Sequence, residues 1–446
     1  MAFRVSATSD TGEPLDQQRP ADLRLLWEGP RRNATRNLTQ LHSPLPHSLS
    51  PLTQDLVDLA TAVYLADLGL PRGRNERWVR EIELSVPVRE PRFWAQQAGD
   101  LTYLLYVLTR DRVRLDFVPR ATDSLETDGV ATGLFAADCV SLLSGGIDSL
   151  AGAVMLLKTG RRPMFVGHQS GNPAIRSAQT AVMTMLDKLS PGAGHLAQVG
   201  LQGGGNARAA FAFPPPEQRE PSQRSRSFLF MSLAVAAAAG QGVTEAFIFE
   251  NGILTMALPL SEARVGGMST RSTHPRVIAL MNQLCGKLEL PCALINPFVY
   301  QTKAEIIRDL LRPALAPFDI QRTLSCWAAG RSSRQCGGCI ACLVRRFSML
   351  AAGLPDEAYE VDVLGHPGRY IGTDAYANLV DLLGLCARYR TLSDAALLQA
   401  SPELLDLAAA GMTIPEVIAL YRRFAEEVAG VVAEHFPLVA PLLLPA

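Results

Sequence analysis

The stretch "LLSGGIDSL", residues 142–150, constrains this chain more than any other. Two adjacent glycines stand between serines, an aspartate follows, and the run leaves an apolar segment, "CVSLLS". Behind it "SLAGAVMLLKTG" has helical character and ends at Gly160. Strand, glycine turn and helix follow one another directly. The same alternation then repeats. "PMFVGHQ", "HLAQVGL", "EAFIFEN" and "CALINPF" read as strands; "SAQTAVMTMLDKL" and "RSFLFMSLAVAAAAGQG" read as helices. Strands alternating with helices predict an α/β fold with a parallel sheet covered on both faces. At such a strand-to-helix turn, free N–H groups and the helix dipole favour an anion. Gly145 and Gly146 allow close backbone approach. Ser144 and Ser149 add hydroxyl donors, and Asp148 is suited to hold a Mg²⁺ that bridges phosphate oxygens.

The flanks differ from this core. The 446 residues suffice for roughly two to three domains. Residues 1 to about 45 read as irregular. "LTQDLVDLATAVYLADLGL" (52–70) reads as a helix, "EIELSVPV" (81–88) as a strand, residues 93–111 as a helix and "RVRLDFVP" as a strand. The expected organisation is an N-terminal α+β accessory domain over 1–136, a central domain over 137–350 and a C-terminal helical region over 351–446. "ATDSLETDGVATG" (121–133) is expected to link the first two. Residues 202–225, with triple Gly and triple Pro, read as a long loop, either a lid over the strand ends or a surface insertion. Thr413 and Glu416 stand at capping-box spacing before a long helix, with Pro415 in its first turn.

The formal charge of −1 gives no support for a generally basic nucleic-acid binder, so direct nucleic-acid binding is not expected. "FLFMSLAVAAAAG" is too short to span a bilayer, and the opening "MAFRVSATSD" has no apolar h-region. A cytoplasmic protein without a membrane partner is expected. Its eight cysteines are then thiols or metal ligands.

Four of them, Cys326, Cys336, Cys339 and Cys342, are spaced C-x9-C-x2-C-x2-C in "SCWAAGRSSRQCGGCIACLVRR". That set suits a closed tetrahedral Zn²⁺ site, which would staple the segment; an iron–sulfur cluster uses four cysteines too. Cys139, Cys285, Cys292 and Cys386 sit in apolar contexts and read as small buried residues. Arg345 and Arg346 follow the cluster; each is either a surface residue or a contact to a nucleotide or anionic substrate.

The loop is not a Walker A motif, because no G-K-[ST] follows. It resembles the PP-loop of the ATP pyrophosphatases (adenine nucleotide alpha hydrolase-like fold), whose pattern is S-G-G-x-D-S. Together with "NPFVYQTKAEII" and S-C-x9-C-G-x-C-x-x-C-x-x-R, residues 138–350 resemble the QueC family, the 7-cyano-7-deazaguanine synthases. That resemblance implies that ATP activates the carboxylate of 7-carboxy-7-deazaguanine, with AMP and pyrophosphate released, and that ammonia converts it to an amide and then a nitrile. It implies ATP binding, with Mg²⁺, by Leu143, Ser144, Gly145, Gly146, Asp148 and Ser149. It implies zinc on Cys326, Cys336, Cys339 and Cys342, and catalytic roles for Asp148 and Lys303. Lys303 would meet phosphate or the activated carboxylate, or is a solvated residue at a helix start.

The chain departs from that family. Ile147 stands where the family has Gln, its tyrosine–proline–aspartate stretch is missing, and the family is about half as long. The additional regions and "STRSTHP" look like the QueC-like proteins of bacterial anti-phage systems, the QatC group of the Qat system. That likeness implies a role in defence, with the acyl group passed to an amine on a partner protein of the same operon. Substrate-pocket candidates are His168, Gln169, Glu250 and Asn251 at strand ends, and Arg271 and His274 in "TRSTHP", by resemblance. His274 is a general base or a structural residue. The other readings are a nitrile-forming synthase of queuosine biosynthesis, a tRNA-thiolation enzyme and a non-catalytic scaffold.

Overall fold

The computed structural model describes residues 2–8, 21–73, 78–120, 134–260, 271–327 and 334–444. The strands are β1 (Phe3–Ala7), β2 (Leu23–Leu25), β3 (Ala34–Asn37), β4 (Glu81–Val88), β5 (Arg112–Pro119), β6 (Cys139–Leu142), β7 (Pro163–His168), β8 (His195–Gly203), β9 (Glu245–Phe247) and β10 (Ala293–Ile295). The first helices are α1 (Thr39–His42), α2 (Pro51–Gly69), α3 (Pro91–Thr109), α4 (Ile147–Lys158), α5 (Pro173–Leu189), α6 (Arg226–Gln241), α7 (Gly252–Met256) and α8 (Pro275–Lys287). Then come α9 (Lys303–Ile306), α10 (Pro317–Gln321), α11 (Ile340–Ala351), α12 (Asp374–Thr391), α13 (Asp394–Ala400), α14 (Glu403–Ala408) and α15 (Ile414–His435).

The chain is a mixed α/β protein. Its central sheet has the order β10-β9-β6-β7-β8-β3. Strands β6 to β10 pair in parallel, with Val140 opposite both Met164 and Ala246. Side chains alternate between the two faces, as the pleat requires. Val140, Met164, Val166, Ala197, Val199 and Leu294 join one apolar cluster with residues of α2, α6 and α8. Cys139, Phe165 and Phe247 join another with residues of α4 and α5. Helix α4 lies so close to the sheet that a Cβ at Gly152 would come within 2.0 Å of the Phe249 ring, so only glycine fits there.

The sequence order of the central strands reverses beside β6: β7 and β8 extend to one side, β9 and β10 to the other. In open α/β sheets, a crevice for ligands forms outside the strand C-termini at such a switch point. The glycine loop leaves β6 there.

The N-terminal residues form a second, parallel sheet of order β2-β1-β4-β5. Where the sequence reads as irregular, before residue 45, the chain forms three strands. They are three to five residues long, too short for an alternation to register. Strand β3 crosses to the central sheet and pairs antiparallel with β8, Ala34 opposite Gly203. One apolar cluster runs from Val5 through Trp94 to Leu294 and joins both sheets.

The loop at 202–225 is fastened to these N-terminal elements. Asn206 donates to the Pro30 and Arg32 carbonyls at 3.0 and 2.8 Å, and the Arg72 N–H donates to Glu220 at 2.8 Å. Phe213 packs over Gly69 and Gly203. The expected linker at 121–133 lies outside the described residues.

After α11 the chain is helical. Helices α12 and α15 bury Leu382, Tyr389, Tyr421 and Phe424, with the two tyrosine rings stacked at 4.9 Å. Pro415 is in the first turn of α15, but Thr413 makes no side-chain cap bond. The Thr413 N–H, which a capping box offers to Glu416, goes to the Tyr300 hydroxyl at 3.1 Å. No helix among the described residues is long and apolar enough to cross a membrane.

Candidate active site and metal centre

The loop after β6 is built as its glycines suggest. Gly145 has φ +89°, a left-handed conformation open to glycine at little cost, and a Cβ there would meet the Gln179 backbone nitrogen at 3.2 Å. Gly146 is the N-cap of α4. The Ser144 and Ser149 hydroxyls lie 3.1 Å apart; Ser144 Oγ accepts from the Gly146 N–H at 3.3 Å, and Ser149 Oγ donates to the Gly146 carbonyl at 3.0 Å. Leu143 is buried beside them. Ile147 is fully buried in the apolar cluster under α4 and faces no polar site.

Three strand ends converge on Asp148, in the first turn of α4. Lys303 Nζ donates to both Asp148 oxygens at 2.7 Å. Asn251 Nδ2 donates to Asp148 Oδ2 at 2.9 Å. Lys303 follows β10 and Asn251 follows β9, so the contact needs β9 beside β6 and β10 beside β9. Lys303 is 2% exposed, which excludes the solvated reading of this lysine. Thr302 caps α9 in a full capping box with Glu305, and so fixes where Lys303 starts.

Glu250, one residue before Asn251, is held by its backbone. Its carbonyl accepts from Asn296 Nδ2 at 2.9 Å and Thr255 Oγ1 at 3.1 Å, and its carboxylate accepts from Thr273 Oγ1. Burial pushes its pKa up to about 7, with Asp148 adding to the shift and Thr273 and Lys303 opposing it. Asn296 and Thr273 were not singled out from sequence. Asn296 directly follows β10 and satisfies the same strand-end rule that marks Glu250 and Asn251.

The remaining candidates are spent elsewhere. His274 is the N-cap of α8, its Nδ1 accepting from the Arg276 N–H at 3.2 Å. Burial, with Arg271 and Arg110, pushes its basicity down to about 3. That is a structural histidine and a poor base near neutral pH. Arg271 reaches Asp406 at 3.5 Å. His168 ends β7, on the far side of β6 from Lys303, and packs edge-on to Phe230. Burial, with Arg226, lowers it to about 4. Gln169 is exposed beside it and joins no contact with the Asp148 group. Neither Arg345 nor Arg346 is free for a nucleotide. Arg345 is buried on Glu357, Thr323 and Ser325; Arg346 pairs with Asp356 and Asp362 at 2.6 Å each.

The Sγ atoms of Cys326, Cys336, Cys339 and Cys342 all lie within 4.8 Å of one another, with Cys336 and Cys342 at 3.8 Å. A tetrahedron of thiolates at about 2.3 Å from one ion has edges of about 3.8 Å. The donor set therefore fits a single tetrahedral ion. An iron–sulfur cluster spreads its thiolates over several irons and sets them further apart. The cysteine segment also touches the glycine loop: the Leu324 N–H donates to the Gly145 carbonyl at 3.0 Å, two residues before Cys326. Gln335 Nε2 holds the Thr323 carbonyl at 3.0 Å. Cys139, Cys285, Cys292 and Cys386 are buried apolar residues.

Residues 273–353 match the family model for the queuosine biosynthesis protein QueC, whose fold is of the PP-loop type. That stretch contains Lys303 and the four cysteines but not the glycine loop. Over 60 residues, 14% of this chain, the sequence is 43% identical to a 7-cyano-7-deazaguanine synthase of Cupriavidus pinatubonensis. It is 40% identical over the same length to one of Nitrosococcus oceani, and 43% to one of Thiobacillus denitrificans. Each match spans 25% of the relative's own length.

Proposed function

We propose that this chain is an ATP-dependent, C–N bond-forming enzyme that adenylates the carboxylate of a 7-deazaguanine. The observation that carries the reading is the contact of Asp148 with Lys303 and Asn251. It joins the glycine loop to the QueC-like stretch at the switch point of a parallel sheet. In this reading residues 137–350 are the catalytic domain, with 1–136 and 351–446 as accessory regions.

Backbone N–H groups of Ser144, Gly145 and Gly146 and the start of α4 face the phosphates, and Ser149 adds a hydroxyl. Lys303 supplies the positive charge where the α-phosphate meets the substrate carboxylate. Asp148 and Asn251 orient it, so that charge developing in the transition state meets a preset cation. The carboxylate oxygen attacks the α-phosphorus, pyrophosphate leaves, and an acyl-adenylate forms. Magnesium, when bound, offsets charge on the ATP phosphate oxygens; no step here passes through it. Cys326, Cys336, Cys339 and Cys342 hold zinc as a closed site without an open coordination position.

An acyl-adenylate reacts with an amine held beside it. The amine here belongs to a partner protein of a cytoplasmic anti-phage system. The long N- and C-terminal regions outside the QueC-like stretch support that choice. Ammonia as the amine, leading to a nitrile, is the second reading, favoured by the names of the matched relatives. Incubation with ATP, Mg²⁺ and 7-carboxy-7-deazaguanine is expected to give AMP and pyrophosphate, and a mass adduct on an operon-encoded partner protein. A 7-cyano-7-deazaguanine product with ammonia alone would move the assignment to the second reading. No AMP with any acid would leave a non-catalytic scaffold.

A further inference from the structure

Acyl transfer to an amine releases a proton, and the proposed site has few groups to take it. His274 is committed to capping α8. Lys303 is already a cation on Asp148. His168 lies beyond β6. Asp148 accepts from Lys303 and Asn251. Glu250 differs from these: among the described residues no cation is paired with it, and its carboxylate has one hydroxyl donor, Thr273. Its main chain is pinned by Asn296 and Thr255 at the end of β9, next in sequence to the Asn251 that touches Asp148.

We propose that Glu250 is the general base that takes the proton from the attacking amine. This rests on the adenylation reading and extends it to the second half-reaction. The neutral amine nitrogen attacks the acyl carbon of the adenylate, and the C–N bond forms. The C–O bond to the AMP phosphate breaks, with its electron pair leaving on the phosphate oxygen. The surplus proton on nitrogen passes to a Glu250 oxygen. Charges near Glu250 are those of Asp148, which favours its protonated form, and Lys303, which favours the carboxylate. A base needs its acidity near the working pH, and burial gives Glu250 a value of about 7.

The two half-reactions separate the two claims. In Glu250→Gln, adenylate formation, read as pyrophosphate exchange into ATP with 7-carboxy-7-deazaguanine present, should stay within about tenfold of wild type. Transfer to ammonia at neutral pH should fall by about 10²-fold or more. Hydroxylamine, a nucleophile that loses its proton more readily, should recover most of that loss. In Thr273→Val the carboxylate loses its donor, so the midpoint of the transfer rate against pH should move upward. Wild-type transfer in Glu250→Gln would overturn the proposal. So would equal loss of exchange and transfer together with an unmoved midpoint in Thr273→Val. Absence of exchange in the wild type would overturn the adenylation reading, and this proposal with it.

Discussion

Buried charge in two regions of this molecule looks alike on paper and differs in kind. In the N-terminal region Asp58 meets Arg36, Arg89 and Arg120 at 2.5, 2.9 and 3.0 Å. Asp67 meets Arg80 and accepts from the Ser225 N–H and hydroxyl at 2.8 Å each. Burial alone would raise both acids, but the arginines reverse that and hold them below the usual carboxylate range. At the switch point one lysine serves Asp148, and Glu250 beside it is pushed up to about 7. The Asp58 and Asp67 clusters spend their charge on holding layers together. The switch-point group leaves a carboxyl group poised near neutrality at the C-terminal ends of parallel strands. Burial of charge alone does not mark a functional site; incomplete compensation at a ligand-binding position does.

Substitutions should separate the two clusters. Asp58→Ala leaves three arginines facing a lost partner, and is expected to cost about 3–5 kcal/mol of stability in denaturant unfolding. Nucleotide affinity of the folded fraction should be unchanged, because the cluster lies away from the glycine loop. Asp148→Asn should do the reverse. AMP formation should drop by about 10²–10³-fold, the size of losing a preset electrostatic contact, while the unfolding midpoint moves less than in Asp58→Ala. If both variants lost stability and activity in proportion, the distinction between the clusters would fail.

A smaller effect tests the loop itself. Gly145→Ala places a Cβ on a residue with φ +89°, at a cost of about 1–2 kcal/mol. Displacing the loop should weaken ATP binding in titration calorimetry, with no effect on the N-terminal sheet. Stripping the four-cysteine site with a chelator should act in the same direction. Hydrogen exchange should accelerate at the Leu324 amide, which holds the Gly145 carbonyl.

The smallest effect is on pH dependence. Glu427 accepts from Thr302 Oγ1 at 2.8 Å, and burial raises it to about 7 against an ordinary 4.5. The folded state then binds more protons than the unfolded one between about 4.5 and 7. Stability contributed by Glu427 should be present below that window and fade as pH rises through it, opposite to the arginine-held Asp58. Glu427→Gln should flatten this slope in thermal unfolding measured from pH 4.5 to 8.

The sequence carried the loop and the strand order in the chain, but not the order in the sheet. "SGGIDS" and the closing Gly160 located α4 because turn chemistry is local. The pairing of Asp148 with Lys303, 155 residues away, depends on the sheet order β10-β9-β6, which periodicity does not encode. Strand β3 was missed because four residues give no readable alternation. The pattern T-x-x-E occurs at Thr302 and at Thr413, yet only the first forms a capping box. At Thr413 the Tyr300 hydroxyl takes the N–H that the pattern needs, a tertiary contact no local motif reports. His274 was legible as a residue but not as a helix cap, since its role depends on where α8 begins.

A crystal structure with a non-hydrolysable ATP analogue and 7-carboxy-7-deazaguanine tests the switch-point site most directly. The expected density has phosphates on the Ser144–Gly146 backbone, the Lys303 ammonium at the α-phosphate, and the acid's carboxylate beside Lys303. Nucleotide bound away from the C-terminal ends of β6, β9 and β10, with Lys303 still closed on Asp148, would contradict it.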